Sequence, residues 1–184
     1  IQDAAKKDQE AEQAKKEQVI QQEKAEANKN AEVSNVIATI DSTSSDTVQI
    51  AKLKSTLGNF AYSATLPSAK NEVTTLENDV LLLKIANKGG YIVEATLKNF
   101  TKFSKDSGQL VSLIKDNNAN LNIQLQTSDN RSLNTKDLYF EPTLTKAGEN
   151  QILSMRLKAG PNEFLEYKYV LKPNDYMLDF DVQS

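Results

Sequence analysis

Asp179 and Asp181 are the carboxylates best spaced for chemistry in this 184-residue chain. Two residues apart on a strand, they project from one face, about 7 Å apart at roughly 3.3 Å per residue. Such a pair suits general acid–base work or a Ca²⁺ ion. The competing reading is a solvated outer face, because Tyr176, Leu178, Phe180 and Val182 alternate with the acids and form the better inward face. The solvated reading is preferred, and no catalytic, cofactor-binding or metal-ligating residue is assigned. Asp106-Ser107-Gly108 has the look of a calcium-loop fragment but lacks the alternating acids and terminal Glu, so it reads as a turn. Gly89-Gly90 follows a strand pattern without the rest of a phosphate-binding fingerprint and reads as a hairpin turn. Tyr167 and Tyr169 offer aromatic faces for a sugar ring. They share a strand face with Leu165 and Leu171, which makes core packing their expected role. Arg131 and Arg156, the only arginines, sit in no apolar run long enough to be membrane-embedded.

Composition narrows the chemistry further. With no Cys, the chain has no disulfide, thiolate nucleophile or cysteine metal site. With no His, it lacks the commonest general base and the commonest metal ligand. A formal net charge of −3 supplies no basic field for a phosphate backbone, so nucleic acid is not an expected partner. No apolar run approaches the roughly 20 residues that span a bilayer. The chain opens Ile1-Gln2-Asp3 without the apolar core of a signal peptide, which predicts an excised or processed segment whose membrane anchor lies outside it.

The elements that must position these residues follow from periodicity. Residues 1–32 are rich in Ala, Glu, Gln and Lys, with no Gly or Pro, and Asp3–Lys7 and Glu12–Lys16 have helix-favouring spacing. They lack a wide apolar stripe, so they read as a helical spacer that frays, or a disordered one. Residues 33–40 are apolar and β-branched, and the Ser/Thr/Asp stretch 41–47 reads as a linker. Two units are expected: a spacer, 1–47, following a missing transmembrane helix, and a β-sandwich domain, 48–184. Strands are predicted at 48–53, 60–66, 72–76, 80–86, 91–97, 109–114, 121–126, 138–144, 152–157, 164–171 and 176–182. The 80–86 run is nearly continuous in apolar residues, predicting burial on both faces. Asn78-Asp79, Gly89-Gly90 and Pro173-Asn174-Asp175 supply the turns. Short strands with regular turns and no helical period argue for an all-β sandwich.

Three stretches also resemble, in order, the first large periplasmic domain of YidC-type membrane protein insertases. The best is 72–100, EVTTLENDVLLLKIANKGGYIVEATLKNF, similar to that family's entry strand, Gly-Gly turn and second strand ending in an aromatic. TKFSKDSGQLVSLI, from Thr101, is similar to its next loop and strand, with Gln109 where Pro is common. FLEYKYVLKPNDYMLDFDVQS, from Phe164, is similar to its paired strands joined by a Lys/Arg-x-x-Asp-Tyr turn. The likeness covers 48–184 and is thin across 115–150. It implies a galactose-mutarotase-like β-super-sandwich, incomplete at Ser184, with an unpaired edge inviting self-association or strand swapping. The implied function is a non-enzymatic scaffold on the periplasmic side of the bacterial inner membrane. Its parent would be a multi-pass insertase whose partners are nascent membrane proteins and the Sec translocon. The alternative reading is a glycan-binding β-sandwich module of an envelope protein.

Overall fold

The computed structural model describes residues 46–103, 108–116 and 118–184. Residues 1–45 of the expected 1–47 spacer, with the apolar segment 33–40 within them, and Asp106 and Ser107 lie outside the described residues. Among the described residues, no helix is long and apolar enough to cross a membrane.

The first described element corrects two expectations. Residues 48–53 and 60–66 form helices, not strands: α1 spans Asp46–Leu57, a 3₁₀ turn covers Gly58–Phe60, and α2 spans Ala61–Ala64. The Val48/Ile50 alternation suggested a strand, yet both side chains remain exposed. The residues that bury are Leu53, Leu57 and Ala61, spaced by four, which is the helical repeat. Gly58, at φ +58°, takes the left-handed conformation that commonly ends an α-helix.

From there the chain is β. Strands β1 (Val73–Glu77), β2 (Leu81–Ala86), β3 (Ile92–Thr101) and β4 (Leu110–Ile114) form one antiparallel sheet in the order β1-β2-β3-β4. A small hairpin follows, β5 (Gln124–Gln126) with β6 (Ser132–Asn134). Strands β7 (Glu141–Ala147), β8 (Asn150–Lys158), β9 (Phe164–Leu171) and β10 (Leu178–Gln183) form the second sheet, ordered β10-β9-β8-β7. The predicted 121–126 strand shortens to its last three residues, and β6 is additional. The all-β, sandwich-like class holds, with short helices over 46–64 where strands were expected.

Alternation decides the core. Leu81, Leu83 and Ile85 of β2 are buried with Leu76 of β1. In the second sheet, Leu153, Met155 and Leu157 of β8 join Tyr167, Tyr169 and Leu171 of β9. β2 buries one face, not both: Leu82, Lys84 and Ala86 are only half-covered, and Lys84 Nζ donates to Glu94 at 2.7 Å. Strictly antiparallel pairing on both sides of β2 accounts for this, since an antiparallel sheet needs only one dry face.

The turns tie the two sheets together. Asn78 Oδ1 accepts from the amides of Val80 and Leu81, while its Nδ2 donates to the carbonyls of Lys172 and Asp175, each at 2.7 Å. Gly89 and Gly90 have φ of +86° and +66°, as the predicted reversal requires. The Gly90 carbonyl accepts from Tyr169 Oη at 2.8 Å, and the Phe140 ring lies where a Gly90 side chain would go. Phe140 stacks on Tyr167 with centroids 4.8 Å apart. The β2–β3 turn is thus a structural junction.

Candidate functional site

The residues with chemical promise are scattered. Asp179 and Asp181 do share the exposed outer face of β10, with Asp179 paired to Lys172 at 2.9 Å. That bond holds the Lys172 ammonium above its ordinary pKa. Asp181 lies across from Lys168 of β9. Among the described residues, no three carboxylates gather into a metal-binding cluster. Tyr167 and Tyr169 are in the core, packed on Phe180 with centroid distances of 5.6 and 4.8 Å, so neither face is open to a sugar. Burial pushes both phenols up. Arg156 lies over the Phe164 ring and donates to Glu166 at 3.0 Å. Desolvation pushes Glu166 up, but hydrogen bonds from Ser154 and Arg156 outweigh it and hold the carboxyl below its ordinary value.

β10 departs from expectation. Its apolar face was expected to turn inward, yet Phe180 and Val182 remain 40% and 45% exposed, with Tyr176 at 43%. β10 is the outermost strand of its sheet among the described residues, flanked there by β9 alone, and its side chains stay about half exposed.

Arg131 occupies a setting that concentrates polar groups around open space. The Arg131 guanidinium donates from Nε to Asp129 at 2.6 Å and from Nη1 to the Ser55 carbonyl in the last turn of α1. Asp129 also accepts from Thr127 Oγ1, and these bonds hold its carboxyl below the ordinary range. The clasp joins the helical lead-in to the β5–β6 hairpin. Gly58 makes the approach feasible: a side chain there would come within 3.2 Å of Asp129 Oδ2 and 3.3 Å of Arg131 Nε.

Two adjoining hollows of about 680 and 400 Å³ flank this clasp and share Asn59, Asp129 and Ala159 as lining. Three walls form them: the α1–α2 segment, the β5–β6 hairpin, and the β8–β9 turn at Ala159-Gly160-Pro161. Ile50 and Tyr62 line the larger hollow, Phe60 and Leu125 the smaller. Sequence reasoning missed this groove because 48–53 and 60–66 read as strands. The available signal was the spacing of Leu53, Leu57 and Ala61, interrupted by Gly58.

Comparison with known proteins identifies the β region. The model of the YidC periplasmic domain matches residues 73–184, more than half of the chain. The chain belongs to the YidC periplasmic domain family. It is 33% identical to the membrane protein insertase YidC of Parabacteroides distasonis, over 74% of this chain and 20% of that protein. It is 31% identical to the Porphyromonas gingivalis insertase over 45% of this chain and 13% of that protein. For Phocaeicola vulgatus the figures are 28%, 61% and 17%. The chain therefore spans about a fifth or less of these curated relatives. No solved structure gives a significant match. The family match opens at β1, so the helices that wall the groove precede it.

Proposed function

We propose that this chain is a non-enzymatic docking domain of a membrane protein insertase, held on the periplasmic side of the inner membrane. The observation that carries the reading is the family match over 73–184, which covers both four-stranded sheets. The parent protein inserts and folds membrane proteins, alone or with the Sec translocon, and this domain supplies contact surface to its clients and partners. The outer edges of β4, β7 and β10, which pair with no further strand among the described residues, and the half-exposed side chains of β10 support that role, because strand edges and apolar rims are recurrent protein-binding features. The test is deletion of residues 73–184 from the parent, followed by protease-protection assays of a simple single-span substrate and a Sec-dependent one. Insertion of the simple substrate is expected to persist. Its abolition by a deletion that leaves the parent stable overturns the docking reading.

A further inference from the structure

We infer that one end of the domain, where the β3–β4 and β9–β10 connections turn, rests in the headgroup layer of a neutral phospholipid bilayer through Phe100, Phe103, Tyr176 and Met177. The inference rests on the docking reading above, which holds the domain beside a membrane, and it adds a lipid contact to the protein contacts proposed there.

The turns are brought together by contacts between the two sheets. Asn78, in the β1–β2 turn, donates to the Asp175 carbonyl in the β9–β10 turn at 2.7 Å. Phe100, near the end of β3, meets Tyr176 edge-on with ring centroids 5.9 Å apart. Phe103 stands just past β3, where the Lys102 amide donates to the Gln109 carbonyl at 2.9 Å. Phe103 is fully exposed, Met177 is 72% exposed and Phe100 51%. Apolar residues exposed singly need no explanation, but four large ones gathered at one end, three of them aromatic, mark a contact surface. An edge-strand position does not account for this exposure as it does for Phe180, because Phe103, Tyr176 and Met177 lie outside the strands. Aromatic rings at the tips of turns suit the bilayer boundary, where an apolar body enters the acyl region and a phenol stays wet.

Charge selects the lipid. Close to the turns Lys98 pairs with Glu77 at 3.2 Å and Lys172 with Asp179 at 2.9 Å. The other charges of the described turn residues, Lys102, Asp79 and Asp175, do not sum to a positive field. An anionic surface thus meets no basic patch to hold, and the association depends on apolar insertion among neutral headgroups. Four side chains bind a bilayer only weakly. The chain spans a fifth of its Parabacteroides relative, however, so most of such a parent lies beyond it. On the docking reading that remainder is membrane-embedded. A tethered domain meets the bilayer at a high effective concentration, at which weak affinity is enough.

The test exploits the absence of tryptophan from the chain. Phe103→Trp puts a single reporter at the proposed contact, and Tyr62→Trp puts one on α2, beside the β8–β9 turn. Each full-length variant is mixed with phosphatidylcholine vesicles whose acyl chains are brominated. The reporter at 103 is expected to shift to shorter wavelength and be quenched, and the one at 62 to do neither. Phe103→Ser with Met177→Ser should weaken vesicle partitioning in a flotation assay by about tenfold or more. Both positions are exposed, so folding should be kept, and unchanged circular dichroism verifies this. Adding phosphatidylglycerol should not tighten binding. A silent reporter at 103, an equal response at 62, or a gain of about tenfold from the anionic lipid would each overturn the inference. Those outcomes leave the docking reading standing, since that reading fails only in the deletion assay.

Discussion

Replacing Gly90 by Ala should destabilise the domain through two separable costs. The first is conformational: at φ +66° an L-residue sits in the left-handed region, at about 1–2 kcal/mol. The second is steric. The added carbon would lie 2.9, 3.0 and 3.1 Å from three ring atoms of Phe140. That ring has no accessible surface and is stacked on Tyr167, so it cannot swing aside. Overpacking of this kind costs about 1–3 kcal/mol. The two together come to roughly 2–5 kcal/mol. Gly148→Ala is the internal control, because Gly148 has nearly the same φ, +62°, with nothing within 4 Å of its missing side chain. It should cost only the conformational part, about 1–2 kcal/mol. Urea unfolding followed by circular dichroism measures the difference. With an m-value of about 2 kcal/mol/M, Gly90→Ala lowers the midpoint by roughly 1–2.5 M and Gly148→Ala by roughly 0.5–1 M. Equal shifts would refute the claim that the β2–β3 turn is packed against Phe140.

Three other perturbations probe the remaining junctions. Tyr169→Phe removes the donor to the buried Gly90 carbonyl and should cost about 1–3 kcal/mol in the same unfolding assay. Tyr139, Tyr167 and Tyr169 all have raised pKa values from burial, so the unfolded chain loses its phenolic protons first. Stability should therefore fall above about pH 10, by about 1.4 kcal/mol per pH unit for each tyrosine still protonated in the native state, and Tyr169→Phe should make that slope shallower. Arg156→Leu leaves the buried Glu166 carboxylate without its cation and should cost about 1.5–3 kcal/mol at neutral pH. Because the native Glu166 pKa is depressed, its contribution is present above the unfolded value and lost as pH falls through the folded one. The gap between wild type and variant in urea titrations should close below about pH 4. Leu57→Ala empties a fully buried site on α1 and should cost about 2–5 kcal/mol of global stability if the helical lead-in is part of the core. A loss near zero, with faster amide exchange confined to α1, would show the helix to be an appendage.

By itself the sequence determined the β architecture from Glu72 onward. A buried face every second residue is written locally, and Tyr167, Tyr169 and Leu171 emerge where alternation put them, whereas the apolar 80–86 run, expected to bury both faces, buries only the Leu81/Leu83/Ile85 side of β2. Its turns were equally local, since Asn78, Gly89-Gly90 and Asp175 act through their own backbone preferences and short side chains. The order of three motifs was enough to resemble the family that the match over 73–184 then established. Tertiary structure decided the rest. The 46–66 segment carries two overlapping periods, and only its packing through Leu53, Leu57 and Ala61 selects the helical one. The exposure of Phe180 and Val182 depends on β10 lying at the margin of its sheet, a matter of strand order that alternation does not encode. The groove is the clearest case. Its two walls, around Gly58 and Asn59 on one side and Asp129 and Arg131 on the other, are distant in sequence, and they meet because Gly58 lets a helix end come within bonding distance of a hairpin.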